Sequence, residues 1–192
     1  MARPRTFDED KVITAARTAF RRTGFHGTSV GDLSAATGLG KGSLYGAFGD
    51  KHRLYLRIFD EYCTGAEAVV ARLVDGPDEG ALDRAREWLL AGVHAPDICG
   101  CLLAKGTAEL SSEDPEVADR ALRAFTNIHD ALTDVARAAQ RGGDVDPTAD
   151  PAAIGGLILA THRGLEALSK GGMTAEVLVP IAEQAITGLR TR

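Results

Sequence analysis

The stretch from Thr28 to Lys51, TSVGDLSAATGLGKGSLYGAFGDK, constrains the fold more tightly than any other part of the chain. It holds two short helical patterns separated by a glycine turn. The first spans Ser29 to Thr37, with Val30, Leu33 and Ala36 at three-residue spacing. Ser29 is a candidate N-cap, and Asp32 stands three residues on, where the acid of a capping box belongs. Gly38 falls where a helix ends in the left-handed conformation that glycine adopts at low cost. Leu39 fills the turn. The second helix starts at Lys41 and sets Leu44 and Phe48 four apart on a buried side, which leaves Lys41, Ser43 and Tyr45 outward. One packed helix followed by a helix with a short polar and basic face is the pattern of a helix-turn-helix.

Charge is divided along the chain in the same sense. The 192 residues carry a net charge of −5. Residues 1–57, however, hold ten Lys/Arg against five Asp/Glu, and the rest hold twelve against twenty-two. A basic head on an acidic body lets one end approach phosphate while the other is repelled. Hydrophobic content of 44% fits a soluble protein. No apolar run approaches the ~20 residues of a membrane helix, and the polar N-terminus has no secretory signal pattern. Three cysteines, an odd count, fit a reducing cytoplasm better than a disulfide scaffold.

Gly38, then Lys41-Gly42-Ser43-Leu44-Tyr45, then Phe48 and Lys51, resemble the DNA-binding domain of bacterial TetR-family transcriptional regulators. The resemblance runs from about Phe7 to Leu56. It implies a sequence-specific DNA-binding regulator, a ligand-responsive repressor acting as a homodimer on a palindromic double-stranded operator. It also implies contacts to DNA from Thr28, Ser29, Lys41, Gly42, Ser43, Tyr45 and Lys51, with Gly42 admitting the backbone and Tyr45, Thr28 and Lys51 set on phosphates. Many relatives carry larger side chains where this chain has Gly46 and Ala47, so fewer groups are available to read bases. Arg3 and Arg5 flank Pro4 in a short N-terminal arm. They could enter a minor groove, or the arm could be a solvated terminus.

In chain order, a first helix is expected over about Asp8 to Thr23, with Val12, Ile13, Ala16, Ala19 and Phe20 as its stripe and Gly24 as its stop. Phe25 is expected under the recognition unit. A longer helix follows over about Lys51 to Val74, striped by Leu54, Tyr55, Ile58, Phe59, Tyr62, Ala66, Val69 and Leu73. Further helices are expected near Glu79 to Val93, from the Ile98–Leu103 run to Leu110, and over Glu116 to Gln140. The stripe of the last is Val117, Leu122, Phe125, Ile128, Leu132 and Val135. Two more, about 151–169 and 174–189, close the chain; in TetR-like proteins such a pair forms the interface between subunits. Gly155, Gly156, Ala160 and Gly164 could admit a partner helix. The predicted fold is all-α with about nine helices: a three-helix DNA-binding domain over 1–52, and a helical ligand-binding and dimerisation domain over 53–192.

The residues offer no P-loop, dinucleotide fingerprint, nucleophile elbow or H-E-x-x-H, so an enzyme and a cofactor are not expected. Cys99 and Cys101 with His94 and His129 do not have zinc-site spacing, so no metal is expected. Gly100-Cys101-Leu102-Leu103 resembles a TetR subgroup in which a cysteine at this helix start senses oxidants or electrophiles. Cys101 could act so, or be a small apolar side chain beside a ligand cavity. Tyr62, Trp88, Cys101, Phe125 and His129 are candidate effector contacts and equally candidate core. A helical ligand-binding protein without a specific operator is the other reading left open.

Overall fold

The computed structural model describes residues 7–94 and 100–191. Arg3, Arg5 and Cys99 lie outside the described residues. Those described form nine α-helices and two 3-10 turns, with no strand among them. The helices are α1 (Glu9–Gly27), α2 (Val30–Thr37), α3 (Lys41–Phe48), α4 (Lys51–Ala71), α5 (Ala81–His94), α6 (Leu102–Leu110), α7 (Pro115–Arg141), α8 (Pro151–Lys170) and α9 (Ala175–Thr187). The all-α expectation holds. None of the described helices is long and apolar enough to cross a membrane.

The chain divides into two compact units. One comprises the described residues of Met1–Tyr62 together with Cys101–Ala121; the other comprises those of Cys63–Gly100 with Leu122–Arg192. The first unit therefore contains α6 and the start of α7 as well as α1 to α3 and α4 as far as Tyr62.

In the first unit, Asp8 caps α1 by accepting from the Lys11 N–H at 3.2 Å, and Glu9 and Asp10 sit in the first turn, where acids oppose the helix dipole. Gly24 breaks the helix with φ 80° and ψ −179°, and a short turn follows before Thr28. The core is aromatic at its centre. Tyr55 meets Phe20 edge-on at 5.1 Å and Phe25 at 5.0 Å, and stacks on Phe59 at 5.6 Å. Val12, Ile13, Ala16, Leu33, Leu44, Phe48 and Leu54 fill the rest. Phe7 packs against Phe48, 6.4 Å between centroids.

The second unit packs α5, α8, α9 and the later part of α7. Leu82, Ala85, Leu89, Leu132, Ile158, Leu178 and Ile186 are buried in it. Ion pairs tie the edges: Arg86 to Glu183, Arg141 to Asp78, and Arg190 to both Asp83 and Asp144.

Two expected stripes shift. On α7, Leu122 is 67% exposed, and the buried face runs through Val117, Ala121, Ala124, Ile128, Leu132 and Val135. Alanines hold two of its positions, and a scan for large apolar residues passes over them. On α4, Val69 is exposed while Cys63 and Val70 are buried. The helix ends at Ala71, and Arg72–Val74 form a 3-10 turn.

Candidate nucleic-acid interface

Local chemistry builds α2 and α3 as the sequence requires. The Ser29 Oγ accepts from the Asp32 N–H at 3.1 Å, and the Asp32 carboxylate accepts from the Ser29 N–H at 2.8 Å. This reciprocal box satisfies two amides that a helix start leaves over. The Ser29 hydroxyl also donates to Asp32 at 2.6 Å, and these bonds lower the Asp32 pKa. Gly38 ends α2 at φ 71°, ψ 7°, its N–H donating to the Ser34 carbonyl. Gly40 precedes α3 without a side-chain cap. Leu44 and Phe48 are buried beneath α3.

The outer face of α3 is Lys41, Gly42, Ser43 and Gly46, all exposed, with Tyr45 half-buried beside them. Lys41 Nζ stands 5.6 Å from the centroid of the Tyr45 ring, one helical turn away. A Cβ built at Gly42 or Gly46 meets nothing within 4 Å, so the helix backbone itself is open on this side.

Three other expected contacts are placed differently. Thr28 is 0% exposed: its hydroxyl donates to the Gly24 carbonyl at 2.5 Å and lies 2.7 Å from the Thr23 hydroxyl. It holds the turn after Gly24 and does not reach the surface in this conformation. Ser29 is exposed, with its hydroxyl committed to Asp32. Lys51 extends over the Phe25 ring at 4.3 Å; burial lowers its pKa, and the charge of Glu109 opposes that effect.

Sequence reasoning missed what α6 and the start of α7 supply to this unit. Lys105 and Glu109 reach the Gly24 break, and Asp114 pairs with His52 at 2.5 Å while capping α7 through the Glu116 and Val117 amides. Burial raises the Asp114 pKa, but these bonds outweigh it and the net shift is downward. A single chain offers no local signal for such contacts, because the partners stand 62 to 84 residues apart.

The candidate effector residues are drawn from both units. Tyr62 and Cys101 belong to the first unit; Arg21 lies over the Tyr62 ring at 5.9 Å, and Cys101 precedes α6 as its N-cap. In the second unit, Trp88 stacks on His162, while His129 Nε2 donates to the Ala152 carbonyl at 3.0 Å. Phe125 is half-buried. Among the described residues, no group of three or more His, Cys, Asp or Glu is arranged to hold a metal ion.

A packed α2, a left-handed glycine turn and an α3 that presents Lys41, Gly42 and Ser43 with Tyr45 beside them define a helix-turn-helix DNA-binding module. Comparison with known proteins identifies which one. Residues 12–58 match the family described as bacterial regulatory proteins, tetR family, and residues 80–176 match the tetracyclin repressor-like C-terminal domain. The chain belongs to the TetR family, and it is a DNA-binding transcriptional regulator. The HTH-type transcriptional repressor BdcR of Escherichia coli (strain K12) is 31% identical over 142 residues, 68% of each chain. The uncharacterized HTH-type transcriptional regulator YezE of Bacillus subtilis (strain 168) is 31% identical over 137 residues, 69% of this chain and 70% of that one. Solved structures share the fold. A TetR-family regulator from Cytophaga hutchinsonii superposes with a TM-score of 0.80 at 21% identity, covering 95% of this chain and 94% of that one. A cysteine mutant of the TetR family regulator CifR, complexed with 26bp double-strand operator DNA, gives 0.82 at 23% identity over 98% and 100%.

Proposed function

We propose that this regulator is a repressor that binds a palindromic operator as a homodimer and releases it when a small molecule binds. The observation that carries the reading is the face of exposed Lys41, Gly42 and Ser43 with half-buried Tyr45 on a helix anchored by buried Leu44 and Phe48. Ser43 reads a base edge, Lys41 a guanine edge or a phosphate, and Tyr45 a phosphate, while Gly42 admits the backbone to the groove. Arg3 and Arg5 add minor-groove contacts. Ser29 and Lys51 contribute through the helix-turn-helix geometry, and Thr28 through the turn it holds. The repressor assignment is supported by the name of the BdcR relative.

The division of labour is a DNA-binding domain over 1–52 and a ligand-binding and dimerisation domain over 53–192. Pairing through α8 and α9 is supported by their second apolar face: Leu157, Leu168, Val177 and Ile181 are each 40–49% exposed. One short recognition helix holds few bases, and a dimer doubles the half-sites. The effector contacts side chains drawn from Tyr62, Trp88, Cys101, Phe125 and His129. It acts through its different affinities for the two states of the dimer, since a ligand with equal affinity shifts nothing. The protein works in the cytoplasm and catalyses no reaction.

The test is anisotropy of the purified protein on tiles of its own upstream DNA at two salt concentrations. The expected result is one tile bound far above the others with a modest salt penalty. Equal, weak binding to every tile that collapses with salt is phosphate attraction alone and overturns the operator reading.

A further inference from the structure

The Gly24 break in α1 is bridged by two charged side chains of α6. In an unbroken helix the Phe25 N–H would donate to the Arg21 carbonyl. Here the Phe25 N–H donates to Glu109 Oε2 at 2.7 Å instead. Lys105 Nζ donates to the Arg21 carbonyl at 2.8 Å and to the Arg22 carbonyl at 2.9 Å. Glu109 takes the donor and Lys105 the acceptor of the bond that the break removes. The two stand one turn apart on α6, where i and i+4 side chains share a face.

A side chain at position 24 would displace the Glu109 carboxylate. Gly24 is at φ 80°, where a side chain is strained, and a Cβ there would lie 1.8 Å from Glu109 Oε1. The carboxylate occupies the space that any other residue at 24 would need. Thr28 closes the far side by donating to the Gly24 carbonyl, and the freed Phe25 ring packs between Lys51 and Tyr55. Charge-assisted bonds to carboxylate and ammonium are the stronger class of hydrogen bond, so the break has a defined angle. That angle sets the direction in which the chain enters Ser29, the cap of α2.

We propose that Lys105 and Glu109 are positioning residues for operator binding, fixing the helix-turn-helix by replacing the backbone hydrogen bond lost at Gly24. They touch no DNA. The proposal rests on the operator-binding reading above, and the test separates the two.

The full chain and its Glu109→Ala, Glu109→Gln and Lys105→Met variants are compared in two measurements. The first is amide exchange of the segment covering residues 21–29. The second is affinity for the preferred upstream tile and for an unrelated duplex of equal length. Glu109→Ala is expected to speed exchange in that segment and to weaken the preferred tile by about tenfold or more, the scale of a lost bond to a charged group. Binding to the unrelated duplex stays as in wild type. Glu109→Gln keeps an accepting oxygen for the Phe25 N–H and restores most of both signals. Lys105→Met, which leaves two carbonyls without their ammonium, follows Glu109→Ala in direction. Wild-type exchange and wild-type affinity in Glu109→Ala overturn the proposal. So does equal loss on both duplexes with a lowered Tm, which is general destabilisation. If the wild-type protein prefers no tile, the operator reading fails, and the exchange measurement by itself then upholds or overturns the clamp.

Discussion

The Trp88 indole lies flat on the His162 imidazole, with ring centroids 3.8 Å apart and planes within 8°. His162 is buried on α8, and its Nδ1 accepts from the Arg163 guanidinium at 2.6 Å. An accepting nitrogen carries no proton, so the ring is neutral with its hydrogen on Nε2. Glu166 stands 3.7 Å from the same nitrogen. Burial first, then the Arg163 charge, lowers the His162 pKa from 6.5 to about 3.

Acid should therefore destabilise the protein through this residue. Between pH 6.5 and 3 the unfolded chain binds a proton that the folded chain does not, so stability falls as pH drops through that window. By pH 5 the loss is about 2 kcal/mol. His162→Phe keeps a flat ring beside Trp88 and cannot titrate. Urea midpoints at pH 7 and pH 5 should lie closer together in the variant. An unchanged gap would mean that His162 does not set the acid limb.

Gly38→Ala should cost about 1–2 kcal/mol, because φ is 71° and an L side chain there strains the backbone. A Cβ at this position meets nothing within 4 Å, so the cost is conformational and not steric. Gly38→Asn, which tolerates the left-handed region, should recover part of it. Denaturant curves of the two variants check the ordering; an alanine variant as stable as wild type would refute it.

Two helical glycines of the first unit should respond with opposite signs. A Cβ at Gly106 would lie 2.4 Å from the Tyr55 hydroxyl and 2.6 Å from Phe59 Cε2. Gly106→Ala should overpack the aromatic core and destabilise by roughly 1–3 kcal/mol. Gly46 is exposed with open space, so Gly46→Ala should stabilise α3 by up to about 1 kcal/mol through helix propensity. Thermal melts of both variants decide this, and a matching sign would count against the packing at Gly106.

Ile181→Glu and Val177→Glu should turn the dimer into monomers with little loss of fold, since both side chains are more than 40% exposed in the single chain. Sedimentation velocity reads the change. Dimers surviving in both variants would place the interface elsewhere.

Tyr45→Ala should weaken binding to every duplex, whereas Ser43→Ala should relax preference at one operator position. Competition binding against single-base operator variants separates the two effects. Unaltered binding in both variants would remove α3 from the interface.

Much of this molecule is written locally. The Ser29–Asp32 box, the Gly38 turn, the Gly24 stop and the buried Leu44–Phe48 pair follow from short-range sterics and hydrogen bonding. Their partners lie within a few residues, so the head was legible from its own sequence. The helical spans of α8 and α9 were legible too, while their role in pairing came from the family resemblance.

The tertiary structure decided which side of each pattern is buried and which distant groups meet. Gly155 shows the first: it packs α8 onto the Leu132–Thr133 backbone of α7, where a Cβ would lie 2.7 Å from the Thr133 nitrogen, while Gly164 faces open space. The sequence presents both only as small residues. Thr28 shows it again, as a hydroxyl whose burial depends on how the chain turns after Gly24. The second lesson lies in α6, which meets α1 through Lys105 and Glu109 across more than eighty residues of chain. Local propensity acts over a turn or two of helix. The pairing of a lysine with one carbonyl and a glutamate with one amide exists only after the apolar faces have packed and brought those segments together.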